Sequence, residues 1–207
     1  MSRSSQNAFY QTFKILDRRY GPQHWWPGES CFEIQVGAIL TQNTAWTNVE
    51  RAIANLMQSG LLSPRAILDA PHNDLAEALR PSGYFNVKAE RLRHYCSWLW
   101  AQGGEKKIKR WPTHQLREGL LAVKGIGPET ADDMLLYAFD RPVFVIDAYT
   151  RRLFFRLGLA PAKIGYEALR QRFETELDLS TPLFNQYHAL IVRHAKEVCR
   201  TKPLCSK

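Results

Sequence analysis

Nothing in this 207-residue chain stays apolar long enough to cross a bilayer. The longest apolar runs, Val36–Leu40 and Val143–Ile146, fall far short of the ~20 residues a spanning helix needs. The first residues include Arg3 but no apolar segment after it, which argues against a secretory signal. Cysteine is scarce. Cys31, Cys96, Cys199 and Cys205 are too few for a disulfide scaffold in a chain of this size. These absences lead to the expectation of a cytoplasmic protein with no membrane partner. No segment alternates apolar and polar residues convincingly, and there is no internal repeat or low-complexity tract, so a sheet protein and a repeat array are both set aside.

What is present is ordinary in bulk and unusual in detail. Hydrophobic residues make up 45% and charged residues 23%, as in a globular chain. Lys and Arg outnumber Asp and Glu by 28 to 20, a net charge of +8 that favours an anionic partner. Six Trp, eight Tyr and ten Phe accompany that charge. Helix signals dominate the pattern. Phe9, Phe13, Leu16 and Tyr20 form a stripe at helical spacing. Ser30 and Glu33 read as a capping box for a helix through Leu40, Thr44 as the cap of the next helix, and Ser63-Pro64 as a cap followed by a first-turn proline. Further helices are expected near 75–79, 87–100, 116–123, 128–139, 148–157, 166–177 and 183–199. The segment Lys106–Arg110 reads as a charged loop, and Val143–Ile146 as a short buried extended link. The fold class is all-α.

The most informative stretch lies in the middle of the second half. A helix ends at Val123, Lys124-Gly-Ile-Gly127 makes a tight turn, and a second helix opens on Pro128. Two helices joined this closely pack as a hairpin. Gly125 and Gly127 bring bare backbone to the surface while Ile126 tucks between the helices. Turn amides beside a helix N-terminus then suit a phosphate oxygen, a contact that positions nucleic acid without reading its sequence. Shortly after, the apolar run Val143–Ile146 leads straight into Asp147, placed to cap the helix beginning at Ala148. A fixed carboxylate there can stabilise positive charge developing on a sugar, or orient an attacking water. A tight structural turn and a purely structural cap are the plainer readings of these two features.

Leu121-Ala-Val-Lys-Gly-Ile-Gly-Pro-Glu-Thr-Ala131, followed by Val143-Phe-Val-Ile-Asp147 and then Arg152, Arg156, Leu157 and Gly158, resembles the helix-hairpin-helix (HhH-GPD) DNA glycosylases of the endonuclease III superfamily. Ile39-Leu-Thr-Gln-Asn43, Gly83-Tyr-Phe-Asn-Val-Lys-Ala89 and His188 to Cys205 extend the resemblance over nearly the whole chain. It implies two helical lobes with a cleft between them. One would be a six-helix bundle over residues 29–138 that includes the hairpin (112–139), the other residues 1–28 plus 139–207. It further implies that Asp147 is the essential catalytic aspartate, that Lys124, Gly125, Ile126, Gly127 and Thr130 lie against DNA, and that Gln42 fills the gap left when a base is flipped out of the duplex. In members that also cut the strand, a lysine stands two residues beyond the second hairpin glycine. Here that residue is Glu129, and a carboxylate cannot form the Schiff base. The resemblance therefore implies a monofunctional glycosylase acting as a monomer on double-stranded damaged DNA.

Trp25-Trp26-Pro27, Leu40-Thr-Gln-Asn-Thr44 and Arg80-Pro-Ser-Gly83 look most like the 3-methyladenine DNA glycosylase III branch. That branch implies a base pocket lined by Trp25, Trp26, Pro27 and Trp46, whose electron-rich faces suit a cationic N-alkylated purine by ~0.5–2 kcal/mol. A core role for each tryptophan stays open at this point. So do two other functions: a glycosylase for oxidised or deaminated bases, with or without lyase activity, and a non-catalytic DNA-binding protein. The tail Cys199-Arg-Thr-Lys-Pro-Leu-Cys205 resembles the start of the superfamily's iron–sulfur loop, which needs four thiolates. With two present, no cofactor and no metal are expected. A 4Fe–4S cluster using Cys199 and Cys205 is the alternative if the chain extends beyond Lys207.

Overall fold

Several helices in this protein begin where a short polar side chain accepts from a free first-turn amide, or where a proline leaves no amide to satisfy. The structure, a computed structural model, describes residues 7–205; Arg3 and Lys207, which entered the sequence argument, lie outside them. Among the described residues there is no strand, and no helix is long and apolar enough to cross a membrane. The chain divides into two compact units. The first takes the described residues up to Pro27 together with those from Asp140 onward, and the second is Gly28–Phe139.

The first unit contains α1 (Ala8–Tyr20), α10 (Ala148–Arg156), α11 (Tyr166–Glu176) and α12 (Thr181–Glu197). Asn7 caps α1 by accepting from the Tyr10 amide at 2.7 Å. Rings fill the interior. Phe144 stacks on Phe173 with centroids 3.8 Å apart, and Phe9, Phe154, Phe184 and Tyr187 surround them at tilted or edge-on angles. The Phe9 and Phe13 stripe of α1 is thereby explained as packing: Phe9 meets Phe154 and Phe173, and Phe13 meets Tyr187. Edge-to-face and offset pairs of this kind add ~0.5–1.5 kcal/mol each beyond burial.

The second unit contains α2 (Cys31–Leu40), α3 (Trp46–Gln58), α4 (Pro64–Asp69), α5 (His72–Ala78), a 3₁₀ turn (Arg80–Ser82), α6 (Phe85–Ala101), α7 (Glu105–Ile108), α8 (Thr113–Leu121) and α9 (Pro128–Asp133). The chain then continues through a π-helical turn, Met134–Ala138, closed by the Phe139 amide donating to the Met134 carbonyl. Its core is mainly aliphatic, with Val36, Ile39, Leu40, Leu56, Ile67, Leu75, Leu92 and Leu116 fully enclosed. Ser30 caps α2 through the Glu33 amide at 3.1 Å, and the Glu33 carboxylate reaches the Glu29 amide to complete the box one residue early.

Two local expectations need correction. Thr44 does not cap α3; Ala45 stands at the cap position and offers no side chain, while the Thr44 hydroxyl donates to the Ser82 carbonyl at 2.5 Å. Tertiary partners have outcompeted the local amide. Lys106–Arg110 is not simply a loop either. Glu105–Ile108 forms a helical turn because Ile108 is an apolar anchor, fully buried among charged neighbours.

Candidate active site

In the first unit, the run Val143–Ile146 is buried and extended yet pairs with no strand among the described residues. Buried amides need acceptors, and side chains supply two of them. The Phe144 amide donates to Glu174 at 3.1 Å and the Ile146 amide to the Tyr166 hydroxyl at 3.4 Å. Glu174 is held in turn by both of its oxygens on Arg170, each at 2.8 Å. The run is thus gripped along its length, and it delivers Asp147 to the start of α10.

Asp147 caps that helix. One carboxylate oxygen accepts from the Thr150 amide at 2.6 Å, an arrangement worth about 1 kcal/mol to the helix. The other lies 3.6 Å from Nε2 of His188, on α12: within reach of charge, though long for a hydrogen bond. Asp147 is buried, at 8% exposure for the whole residue. Burial by itself pushes its pKa up. His188 and the Thr150 amide more than offset that and hold it below the ordinary carboxylate value. Asp147 is therefore a negative charge at neutral pH, fixed in place by a helix start and an imidazole.

The segment carrying the tryptophan pair belongs to the same unit. Gln186, two residues before His188 on α12, accepts from the Gln23 amide at 2.9 Å and donates to the Gly21 carbonyl at 2.9 Å. One helix thus pins the approach to Trp25 and presents His188 to Asp147. Trp25 and Trp26 are half-buried and meet edge to face, with centroids 6.0 Å apart and planes at 72°. They do not form two parallel walls with each other; one offers a face where the other offers an edge. Pro27 beside them is exposed.

The hairpin lies in the second unit, where α8 and α9 are joined by residues 122–127. Lys124, Gly125 and Gly127 are exposed, whereas Ile126 is buried between the helices. Gly125 has φ +95°, and a Cβ there would come within 2.5 Å of the Arg91 stem. Arg117 on α8 binds the buried carboxylate of Asp132 on α9 with two nitrogens, Nε and Nη2, at 2.7 and 3.1 Å, and so locks the two helices together. The Gln42 amide donates to the Gly125 carbonyl at 3.1 Å and to the Thr130 hydroxyl at 2.9 Å, and its oxygen accepts from Arg91. Gln42, Gly125 and Thr130 therefore come together. In this structure the Gln42 side chain braces the hairpin. Trp46, half-buried, opens α3 in the same unit. Glu129 is exposed on the first turn of α9.

This pairing of an exposed glycine hairpin with a capping, ionised aspartate after a buried run agrees with comparisons to known proteins. The sequence profile of the HhH-GPD superfamily of base excision DNA repair proteins matches residues 36–178. The chain belongs to that superfamily. A Methanocaldococcus jannaschii protein provisionally named a DNA repair glycosylase is 45% identical over 99% of this chain and 94% of its own length. Endonuclease III of Sulfolobus acidocaldarius is 30% identical, covering 85% of this chain and 78% of its own. Among solved structures, the H. pylori 3-methyladenine DNA glycosylase MagIII bound to 1,N6-ethenoadenine superposes with a TM-score of 0.79 at 29% identity, covering 95% of this chain and 98% of that one. A non-covalent endonuclease III–DNA complex gives 0.83 at 17% identity, covering 100% and 92%, which speaks for the fold. The protein is a base excision DNA glycosylase of the HhH-GPD superfamily.

The two tail cysteines differ in setting, Cys199 being buried and Cys205 exposed. Cys199 is buried and its sulfur accepts from Arg156 at 3.3 Å, while Arg152 donates to the Cys199 carbonyl at 2.8 Å. Arg156 also binds the Arg200 and Thr201 carbonyls at 2.6 and 2.9 Å. Guanidinium groups thus hold the tail through its free carbonyls. Among the described residues no group of three His, Cys, Asp or Glu side chains is placed to hold a metal ion.

Sequence reasoning passed over His188, Arg117 with Asp132, and Arg91. Each acts across a long separation in the chain, 41 residues in the case of Asp147 and His188, with no local spacing to mark it.

Proposed function

We propose that this glycosylase is monofunctional and removes N-alkylated purines, with Asp147 stabilising the sugar cation and orienting the attacking water. The observation that carries the reading is the Asp147 carboxylate itself: buried, ionised at neutral pH, and fixed by the Thr150 amide and His188. Cleavage of the glycosidic bond builds positive charge on the sugar, and a preorganised carboxylate stabilises that charge without having to reorganise. Glu129, where a lysine would have to stand for imine formation, supports hydrolysis without a lyase step.

An N-alkylated purine is cationic and already a good leaving group, so the site needs an electron-rich surface more than a strong acid. The indoles of Trp25 and Trp26 supply one. The similarity to a 3-methyladenine glycosylase at 29% identity over nearly the whole chain points the same way. The exposed hairpin, with Lys124, Gly125 and Gly127, is the phosphate contact on double-stranded DNA. Gln42 as the filler of the duplex gap and Trp46 as a base contact belong to the same proposal, as do action as a monomer and without a cofactor.

The test uses duplexes carrying one alkylated purine, oxidised base, uracil or abasic site, with base release and strand scission scored separately. Release from the alkylated purine is expected, reduced about 10²–10⁴-fold in Asp147→Asn. A borohydride-trapped protein–DNA adduct would overturn the monofunctional reading, and duplex binding with no release from any lesion would overturn catalysis.

A further inference from the structure

The second unit contains a buried charge that the chemistry above does not use. Lys88, on α6, is 1% exposed. Its ammonium donates to the Leu40 carbonyl at 2.8 Å, the Thr44 hydroxyl at 2.5 Å and the Ser82 carbonyl at 2.6 Å. An ammonium has three donors, and all three are used. None of these acceptors is a carboxylate, so the charge is held by dipoles alone. Packing alone would be served by a methionine, without the cost of burying an ion.

The acceptors come from three separate segments. Leu40 is the last residue of α2, where the helix leaves its carbonyls free. Thr44 lies in the loop before α3, and Ser82 ends the 3₁₀ turn. Thr44 also donates to Ser82. One turn further along α6, Arg91 donates to the Gln42 oxygen and lays its stem over Gly125. The loop 41–44 is therefore clasped from inside by Lys88, and it carries Gln42, which hydrogen-bonds to both the Gly125 carbonyl and the Thr130 hydroxyl.

We infer that Lys88 is a positioning residue for DNA binding: by clasping Leu40, Thr44 and Ser82 it fixes the loop through which Gln42 preorganises the phosphate-facing hairpin before DNA is engaged. This rests on the reading of the hairpin as the DNA contact. Burial and, next, the Arg91 charge lower the Lys88 pKa to about 8. The groups facing the ammonium are the Leu40 carbonyl from α2, the Thr44 hydroxyl, the Ser82 carbonyl from the 3₁₀ turn, and Arg91 from its own helix. A neutral amine has two donors for those three acceptors, so the clasp slackens in alkali.

The experiment measures duplex DNA affinity for the full chain as wild type, Lys88→Met, Gln42→Ala and the double variant, with circular dichroism confirming the fold at the assay temperature. Each single change is expected to weaken binding about tenfold, and the double change no more than the worse single one, because both act along one path. Wild type should also lose affinity on passing about pH 8, a loss that Lys88→Met no longer shows. Thr44→Val, which removes one acceptor and leaves the lysine in place, should weaken binding in the same sense and serves if Lys88→Met does not fold. Fully multiplicative effects of Lys88→Met and Gln42→Ala, or wild-type affinity in Thr44→Val, would overturn the clasp while the functional reading stands. Failure of the wild type to bind any duplex would overturn that reading, and the clasp with it.

Discussion

In the first unit Asp147 ends an extended run embedded in aromatic rings, whereas in the second unit the hairpin is tied down by buried polar contacts. Phe144, within that run, stacks on Phe173 at 3.8 Å. The hairpin instead depends on Arg117 with Asp132, on Gln42 with Gly125 and Thr130, and on Lys88 with its three acceptors. The difference follows from what each element must do. A carboxylate that acts as a fixed charge gains from a stiff, water-poor surround. A backbone turn that must meet phosphate has to stay at the surface, where apolar burial is limited and hydrogen bonds do the fixing.

The comparison can be broken most sharply at the ring stack. Phe173→Ala should cost about 3–5 kcal/mol and lower the melting temperature of the whole chain, as measured by calorimetry. A loss under ~1 kcal/mol would mean that the rings are not what holds the Asp147 run. In the second unit, Arg117→Met should cost about 3 kcal/mol by stranding the buried Asp132 carboxylate. Adding Asp132→Leu should recover most of that loss, since an apolar pair can replace a buried ion pair. If the double variant stays as unstable as the single one, the pair is doing more than locking two helices.

Glycine substitutions sharpen the picture within the hairpin. Gly125→Ala meets both a positive φ and the Arg91 stem, so it should cost about 1–3 kcal/mol and weaken duplex binding. Gly127 has φ −95° and open space around a Cβ, so Gly127→Ala should leave the melting temperature nearly unchanged and report on DNA approach alone. Equal destabilisation by the two would contradict the geometry.

The smallest effect concerns acid. Folding lowers the Asp147 pKa, so its charged form favours the folded state fully above the unfolded value of ~3.9. That contribution drains away as pH falls through the lower folded value. The difference in melting temperature between wild type and Asp147→Asn, whose amide still caps α10, should shrink as pH falls below about 4. A difference that grew in acid would show the opposite shift.

Much of this was legible in the residues. Ser30 and Ser63 sit at helix starts because a cap is a contact across three residues, and Pro128 because its fixed φ and missing N–H suit a first turn. The Gly125-Ile126-Gly127 turn and the Asp147 cap are equally local, so both chemical elements could be named from spacing. Thr44 misled because its hydroxyl had a stronger offer from Ser82 and Lys88 than from the next helix. Ile108 misled because one apolar anchor outweighed four charged neighbours.

The scarcity of cysteine and of long apolar runs, the helical periodicity, the glycine hairpin and the aspartate after an apolar run are properties of the sequence itself, since each depends on residues a few positions apart. Tertiary structure decided the rest. It set His188 against Asp147, turned most of the first unit's phenylalanines into core, gave Gln42 to the hairpin, and buried the Lys88 ammonium among three acceptors from separate segments. These contacts join residues far apart in the chain, and only packing fixes which distant groups a buried charge or an unpaired amide will find.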